Sequence, residues 1–304
     1  MPVFRHHEMQ LIDMKDKRLG IVEGWAAAAG LVVLGLVIQL IAGPIRWDVF
    51  AWPVNIIAVV LFVAAGVCVF LFRKKSRVLE FLGTMQAAVP AMTAAIVLTI
   101  IMGVTRQVPP GMKAPDPFGF RSMLTSWPFV LVYTYMEVIV FQAILKEITC
   151  WRWKAFPALV FHAGLFTVLL AGAMGSPDMA MLEMDVNKNA PQWSAMDEMG
   201  RSHEVPLGIQ LLDFDIKEAP RIRFEADIQV FTKSGGESRT TLAVNEPYKI
   251  DGWKVYLADY DTSMGRLSQT VVLELVRDPW LPAVYAGIIL MLAGAAIMLF
   301  VKRR

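Results

Sequence analysis

The sequence predicts a polytopic α-helical membrane protein of six transmembrane helices, with an all-β extracytoplasmic domain between the last two. Three observations lead there. Of the 304 residues, 56% are hydrophobic and 18% charged, with a mean hydropathy of +0.50, more apolar than a soluble domain of this size requires. Six apolar runs reach the roughly 20 residues that a helix needs to cross about 30 Å of hydrocarbon. Between the last two of them, the apolar pattern changes from helical spacing to strict alternation.

The runs are Trp25–Ala42, Val54–Phe72, Leu82–Val104, Pro128–Leu145, Pro157–Ala173 and Leu281–Val301. They divide the chain into a polar N-terminal tail (1–24), two leading spans (25–73), three further spans (76–175), the β domain (176–278), and a last span with a basic tail (279–304). With the N-terminus inside, the cytoplasmic segments carry fourteen Lys and Arg, against four in the two short outer loops, Arg46, Arg106, Lys113 and Arg121. This bias over short loops sets the orientation, so both termini are expected in the cytoplasm and the β domain on the outer, periplasmic side of an inner membrane. The net charge of +2 gives no case for a nucleic-acid partner.

The residues before Trp25 are polar and no small-residue cleavage pattern follows the first run, so Trp25 is expected to open a retained anchor. The two cysteines, Cys68 and Cys150, map to the cytoplasmic half. They form neither C-x-x-C nor C-x-x-C-H, which excludes a redox dithiol and c-type haem attachment to this chain.

In the stretch Arg221–Val230, Ile222, Phe224, Ala226, Ile228 and Val230 share one face, and the charged and amide residues share the other, the pattern of a half-buried strand. The turn Lys233-Ser-Gly-Gly-Glu237 then leads into Ser238–Val244, which predicts a hairpin. Further strands are expected at Leu207–Ile216, Trp253–Tyr260 and Ser268–Val276. The Met- and Asp-rich stretch Ser176–Val205 has weak periodicity and is expected to be a loop over one end of the domain.

Several motifs in order resemble the ResB/CcsB family of system II cytochrome c maturation. They are Ser126-Trp-Pro-Phe129 opening the fourth span, Phe161-His-Ala-Gly164, Pro206-Leu-Gly-Ile-Gln-Leu-Leu-Asp-Phe-Asp215, Val244-Asn-Glu-Pro-Tyr-Lys-Ile-Asp-Gly-Trp-Lys-Val-Tyr256, and Arg277-Asp-Pro279 before the last span. The resemblance covers about Ser76–Arg304 and leaves out the two leading spans. It implies a haem-handling subunit that works with a CcsA-like membrane protein to bring haem across the membrane and present it to apocytochrome c. It also implies that haem b is bound non-covalently and that a separate thiol reductant keeps the apocytochrome cysteines reduced. The Trp-rich haem-handling tract of the CcsA half is missing from this sequence, so that half is expected as a separate chain.

His162 stands in the run Pro157–Gly175, which is otherwise free of titratable groups. An ionisable or metal-binding group at membrane depth costs a few kcal/mol and marks a functional position by default. Two readings stay open from the residue alone, an interhelical hydrogen bond or an axial ligand; the resemblance implies the ligand, with His162 holding haem iron. Glu137 is the other titratable group at depth. Counted from Lys146 it lies about 13 Å from the cytoplasmic edge, and His162 counted from Lys154 about 12 Å. Matched depths make Glu137, or Tyr133 or Gln142 beside it, the expected acceptor for the second ring nitrogen; the competing reading is a neutral acid bonded to backbone.

The other histidines carry less. His203 is read as a solvated extracytoplasmic residue, and the adjacent His6 and His7 as a weak metal signal. Trp151, Trp153 and Phe156 are read as an interfacial belt, while Trp253, Tyr256 and Tyr260 are either domain core or a partner-facing surface. No phosphate-binding glycine loop, H-E-x-x-H or nucleophile elbow occurs, which argues against ATP-driven transport and hydrolysis; the resemblance implies at most a non-catalytic or accessory subunit of a haem lyase complex. Two other classes remain: a scaffold that docks partners through its β domain with a structural His162, and a proton-coupled carrier using Glu137 and His162.

Overall fold

A computed structural model describes residues 19–108, 112, 116–150, 153–217 and 223–301. His6, His7, Lys113, Trp151, Arg221, Ile222 and the tail 302–304 lie outside the described residues. The chain divides into two compact units: a helical one, Met1–Val108, Lys113–Pro177 and Leu281–Arg304, and a β unit, Asp178–Trp280 with Pro109–Met112.

The helical unit contains α1 (Ile21–Ala42), α2 (Val54–Phe72), a short α3 (Arg77–Phe81), α4 (Met85–Val104), α5 (Trp127–Thr149), α6 (Phe156–Gly175) and α7 (Leu281–Val301). Six of these are long and apolar enough to cross a membrane, so the protein is a multi-pass membrane protein. Helix α1 starts four residues ahead of the apolar run because Glu23 reaches back to accept the Gly20 N–H at 2.7 Å, which satisfies one of the free donors of the first turn. Helix α5 opens on Ser126 with Pro128 in its first turn, where a missing N–H costs nothing, and it continues four residues past Leu145 to Thr149.

Without a hydrophobic force between helices in lipid, packing and polar contacts hold the bundle. Helix α1 docks on the start of α5: a Cβ on Gly35 would lie 2.5 Å from the Pro128 backbone, and Gln39 accepts the Trp127 N–H at 3.2 Å. Helix α2 is tied to α6 by Asn55, whose amide donates to the Met174 carbonyl at 3.0 Å. It is tied to α5 by Gln142, which donates to the Gly66 carbonyl at 2.9 Å. Helices α6 and α7 approach backbone to backbone along Gly164, Gly287 and Gly294.

The β unit is one antiparallel sheet of eight strands in the order β5-β4-β3-β2-β1-β8-β7-β6. The strands are β1 (Ala180–Asn187), β2 (Gln192–Met196), β3 (Ser202–Lys217), β4 (Arg223–Thr232), β5 (Glu237–Ala243), β6 (Tyr248–Ile250), β7 (Trp253–Tyr260) and β8 (Thr270–Arg277). The sheet curls until its edges nearly meet: Tyr248 of β6 donates its hydroxyl to Ser238 of β5 at 3.1 Å. Alternate residues of every long strand fill the inside, among them Leu207, Ile209, Ile228, Val230, Val255 and Leu273, all fully buried. Trp253 joins that core, and Tyr260 stacks between Phe214 and Phe224.

The expected loop Ser176–Val205 is instead largely strand. Residues 180–187 pair along their whole length with β8, from Ala180 opposite Arg277 to Asn187 opposite Thr270. Their alternation is real, with Leu182, Met184 and Val186 buried, but methionine stands on both faces. Met181 is 39% exposed while Met184 is fully buried, so the period is blurred in the sequence.

Candidate functional site

Helix α6 presents two stripes. One, through Pro157, Phe161, Gly164 and Val168, lies against α7. The other, through His162, Phe166 and Leu169, recurs at the i, i+4, i+7 spacing of a single helix face and meets α5. Three contacts step along that second interface. The Tyr133 hydroxyl donates to the Leu169 carbonyl at 2.8 Å. Phe141 stacks on Phe166 at 5.1 Å between ring centroids. At the end nearest the α5–α6 turn, His162 Nδ1 lies 3.0 and 3.1 Å from the two carboxylate oxygens of Glu147.

Glu147 thus occupies the place expected of Glu137, Tyr133 or Gln142. Tyr133 and Gln142 spend their donors on the backbone of α6 and α2. Glu137 is 3% exposed, and among the described residues its Oε1 has no hydrogen-bond partner. The physical reason is depth. Lys154 lies in a short 3₁₀ turn before α6 begins at Phe156, so His162 is six positions into its helix, about 9 Å. Helix α5 runs on to Thr149, which puts Glu137 twelve positions, about 18 Å, from that end.

Side-chain direction then closes the remaining gap between His162 and Glu147. Helical side chains lean toward the N-terminus of their own helix. In this antiparallel pair Glu147 therefore leans deeper and His162 leans toward the turn, and they meet. Glu147 was legible only as the neighbour of Lys146 at a helix end; the signal available in the sequence was its i−15 spacing from His162 across a short turn.

The imidazole is half-buried and the Glu147 side chain is 18% exposed. Among the described residues, Nε2 of His162 has no hydrogen-bond partner. Nor does any group of three or more His, Cys, Asp or Glu there converge to hold a metal ion. The ring is therefore anchored by one nitrogen and open at the other.

His203 is placed in the β unit, where its Nε2 lies 2.9 Å from Asp197 Oδ2. Asp197 also accepts the Arg201 side-chain Nε–H at 2.8 Å and the backbone N–H groups of Arg201 and Met199, each at 2.9 Å. These contacts, His203 first, hold the Asp197 carboxyl well below the usual carboxylate range. Trp153 is 81% exposed.

Residues 152–272 match the model of the ResB-like family, a stretch that takes in His162 and runs into β8 but stops short of Glu137 and Glu147. No curated protein matches the chain. A solved structure of Cytochrome c Heme Lyase CcmF aligns with 14% identity over 81% of this chain and 45% of that one, with a TM-score of 0.37. The chain therefore spans less than half the length of that structure.

Proposed function

We propose that the protein takes part in cytochrome c biogenesis as a haem-handling membrane subunit of a cytochrome c synthetase complex of the system II type. In this reading it helps move haem b across the membrane and present it to apocytochrome c together with a CcsA-like partner. The observation that carries the reading is the state of His162: Nδ1 is taken by Glu147 and Nε2 has no hydrogen-bond partner among the described residues, at membrane depth and inside the stretch matched to the ResB-like family. Ligating histidines are held in this way, with the second nitrogen engaged by a carboxylate or carbonyl.

The residues fit the cargo. A bare metal ion needs several protein ligands, whereas haem iron already has four from the porphyrin and asks the protein for one or two axial groups. His162 supplies one, and the CcsA-like partner the other. The iron porphyrin also offsets the cost of an unpaired polar nitrogen in apolar surroundings. The β unit lies on the outer side, where the apocytochrome arrives with its cysteines reduced by a separate thiol reductant. Thioether formation belongs to the assembled complex, to which this chain contributes binding and orientation.

The test is a visible spectrum of the full chain purified with and without its CcsA-like partner. A haem absorbance that is present in the complex and lost in His162→Ala is expected. A colourless complex, or an absorbance indifferent to His162→Ala, overturns the reading.

A further inference from the structure

Between them, α5 and α6 carry one carboxylate and one imidazole that reach each other from different depths, and the arrangement does more than neutralise a charge. An ionised carboxylate only accepts hydrogen bonds. With both oxygens of Glu147 within 3.1 Å of Nδ1, a neutral imidazole that donates from Nδ1 to the carboxylate keeps its lone pair on Nε2. A histidine without such a partner samples both tautomers and both ring flips, so the lone pair would be at Nε2 only part of the time.

We infer that Glu147 is a positioning residue for His162: it fixes the Nδ1–H tautomer and the ring orientation, keeps Nε2 available as a ligand, and raises the donor strength of that nitrogen. The inference rests on the haem reading for what Nε2 binds, but not for the tautomer. Two features support a dedicated role. The Glu147 side chain is 18% exposed and turns across the helix interface to the imidazole, with both oxygens on Nδ1. The rung above, Phe141 on Phe166, and the Tyr133–Leu169 bond beyond it hold the two helices in register, so neither partner has to order the other.

The consequence for binding follows from the behaviour of such outer partners, whose removal costs about 10- to 100-fold in metal affinity. Glu147→Ala is expected to weaken haemin binding to the full chain by that factor, and Glu147→Gln, which keeps an oxygen acceptor for Nδ1–H, by less. A carboxylate partner makes the imidazole a stronger electron donor, so the midpoint potential of bound haem is expected to rise in Glu147→Gln.

The deciding experiment reads the tautomer without haem: nitrogen-15 NMR of the histidine-labelled full chain in lipid nanodiscs, with the His162 signals identified by their loss in His162→Ala. A protonated Nδ1 with an unprotonated Nε2 in the wild type, retained in Glu147→Gln and replaced by a mixture of tautomers in Glu147→Ala, is expected. Protonation of Nε2 in the wild type, or a His162 signal unmoved by Glu147→Ala, overturns the positioning role. Should the tautomer respond as expected while haemin fails to bind any variant, the haem reading falls and the dyad stands.

Discussion

Gly164 of α6 and Gly287 of α7 face each other so closely that a Cβ on Gly164 would lie 2.5 Å from the Gly287 carbonyl oxygen, and one on Gly287 would lie 2.8 Å from that of Gly164. Real side chains do not approach backbone at such distances, so either substitution must push the helices apart. In lipid this packing is what holds two helices together. Gly164→Leu is expected to lower the thermal midpoint of the purified protein by the equivalent of about 1–3 kcal/mol, the usual cost of overpacking. Gly30, against which nothing packs, should accept alanine without loss. Equal melting curves for the two variants would show that α6 and α7 do not meet there.

Glu137 gives a prediction of opposite sign. It is nearly fully buried, and among the described residues its Oε1 has no hydrogen-bond partner. Replacing a buried polar group that lacks a hydrogen bond with an apolar one of similar shape relieves about 1–3 kcal/mol. Glu137→Met should therefore leave the fold intact and raise the thermal midpoint in detergent. A fall of comparable size would mean that the carboxyl does bind something in the assembled protein.

Tyr133→Phe removes a single contact, the hydroxyl bond to the Leu169 carbonyl. Polar bonds between membrane helices are worth about 0.6 kcal/mol on average, so a loss of that order is expected in steric-trap or denaturant unfolding. Glu147→Ala should show no additive excess with it, since the two contacts lie at separate rungs.

The β2–β3 turn should be acid-sensitive. Asp197 has its carboxyl held below the ordinary value by hydrogen bonds from His203 and from Arg201 and Met199. The folded value lies below the unfolded one, so this contribution is complete above the unfolded pKa of about 4 and is lost as pH falls toward the folded value. The protection factors of the Met199 and Arg201 amides, taken against their intrinsic exchange rates, should fall as the pH drops below about 4. In Asp197→Ala they should be low at every pH. Protection that is independent of both pH and the substitution would contradict the geometry.

How much of this could be read from the sequence depends on whether the physical signal is local. The six spans are long apolar runs, and β4 alternates cleanly, so both stand out. Strand β1 hides because Met181 and Met184 lie on opposite faces and because its partner β8 is more than 80 residues away. His162 is conspicuous as a lone polar residue in an apolar run, but its partner is not. Counting residues from the nearest lysine took Lys154 for the edge of the helix and so favoured Glu137. The true contact follows from where each helix ends and from the opposed lean of side chains in an antiparallel pair, neither of which is marked in the string of residues.

Strands β1 and β8 are paired over their full length, and just beyond them Trp280 donates its indole N–H to Asp178 at 2.7 Å. The two ends of the β unit are therefore sealed side by side at a single neck. A module closed in this way leaves the chain of α6 and enters that of α7 at two adjacent points. It has the build of an insertion between two helices, with a hydrophobic core of its own inside the curled sheet.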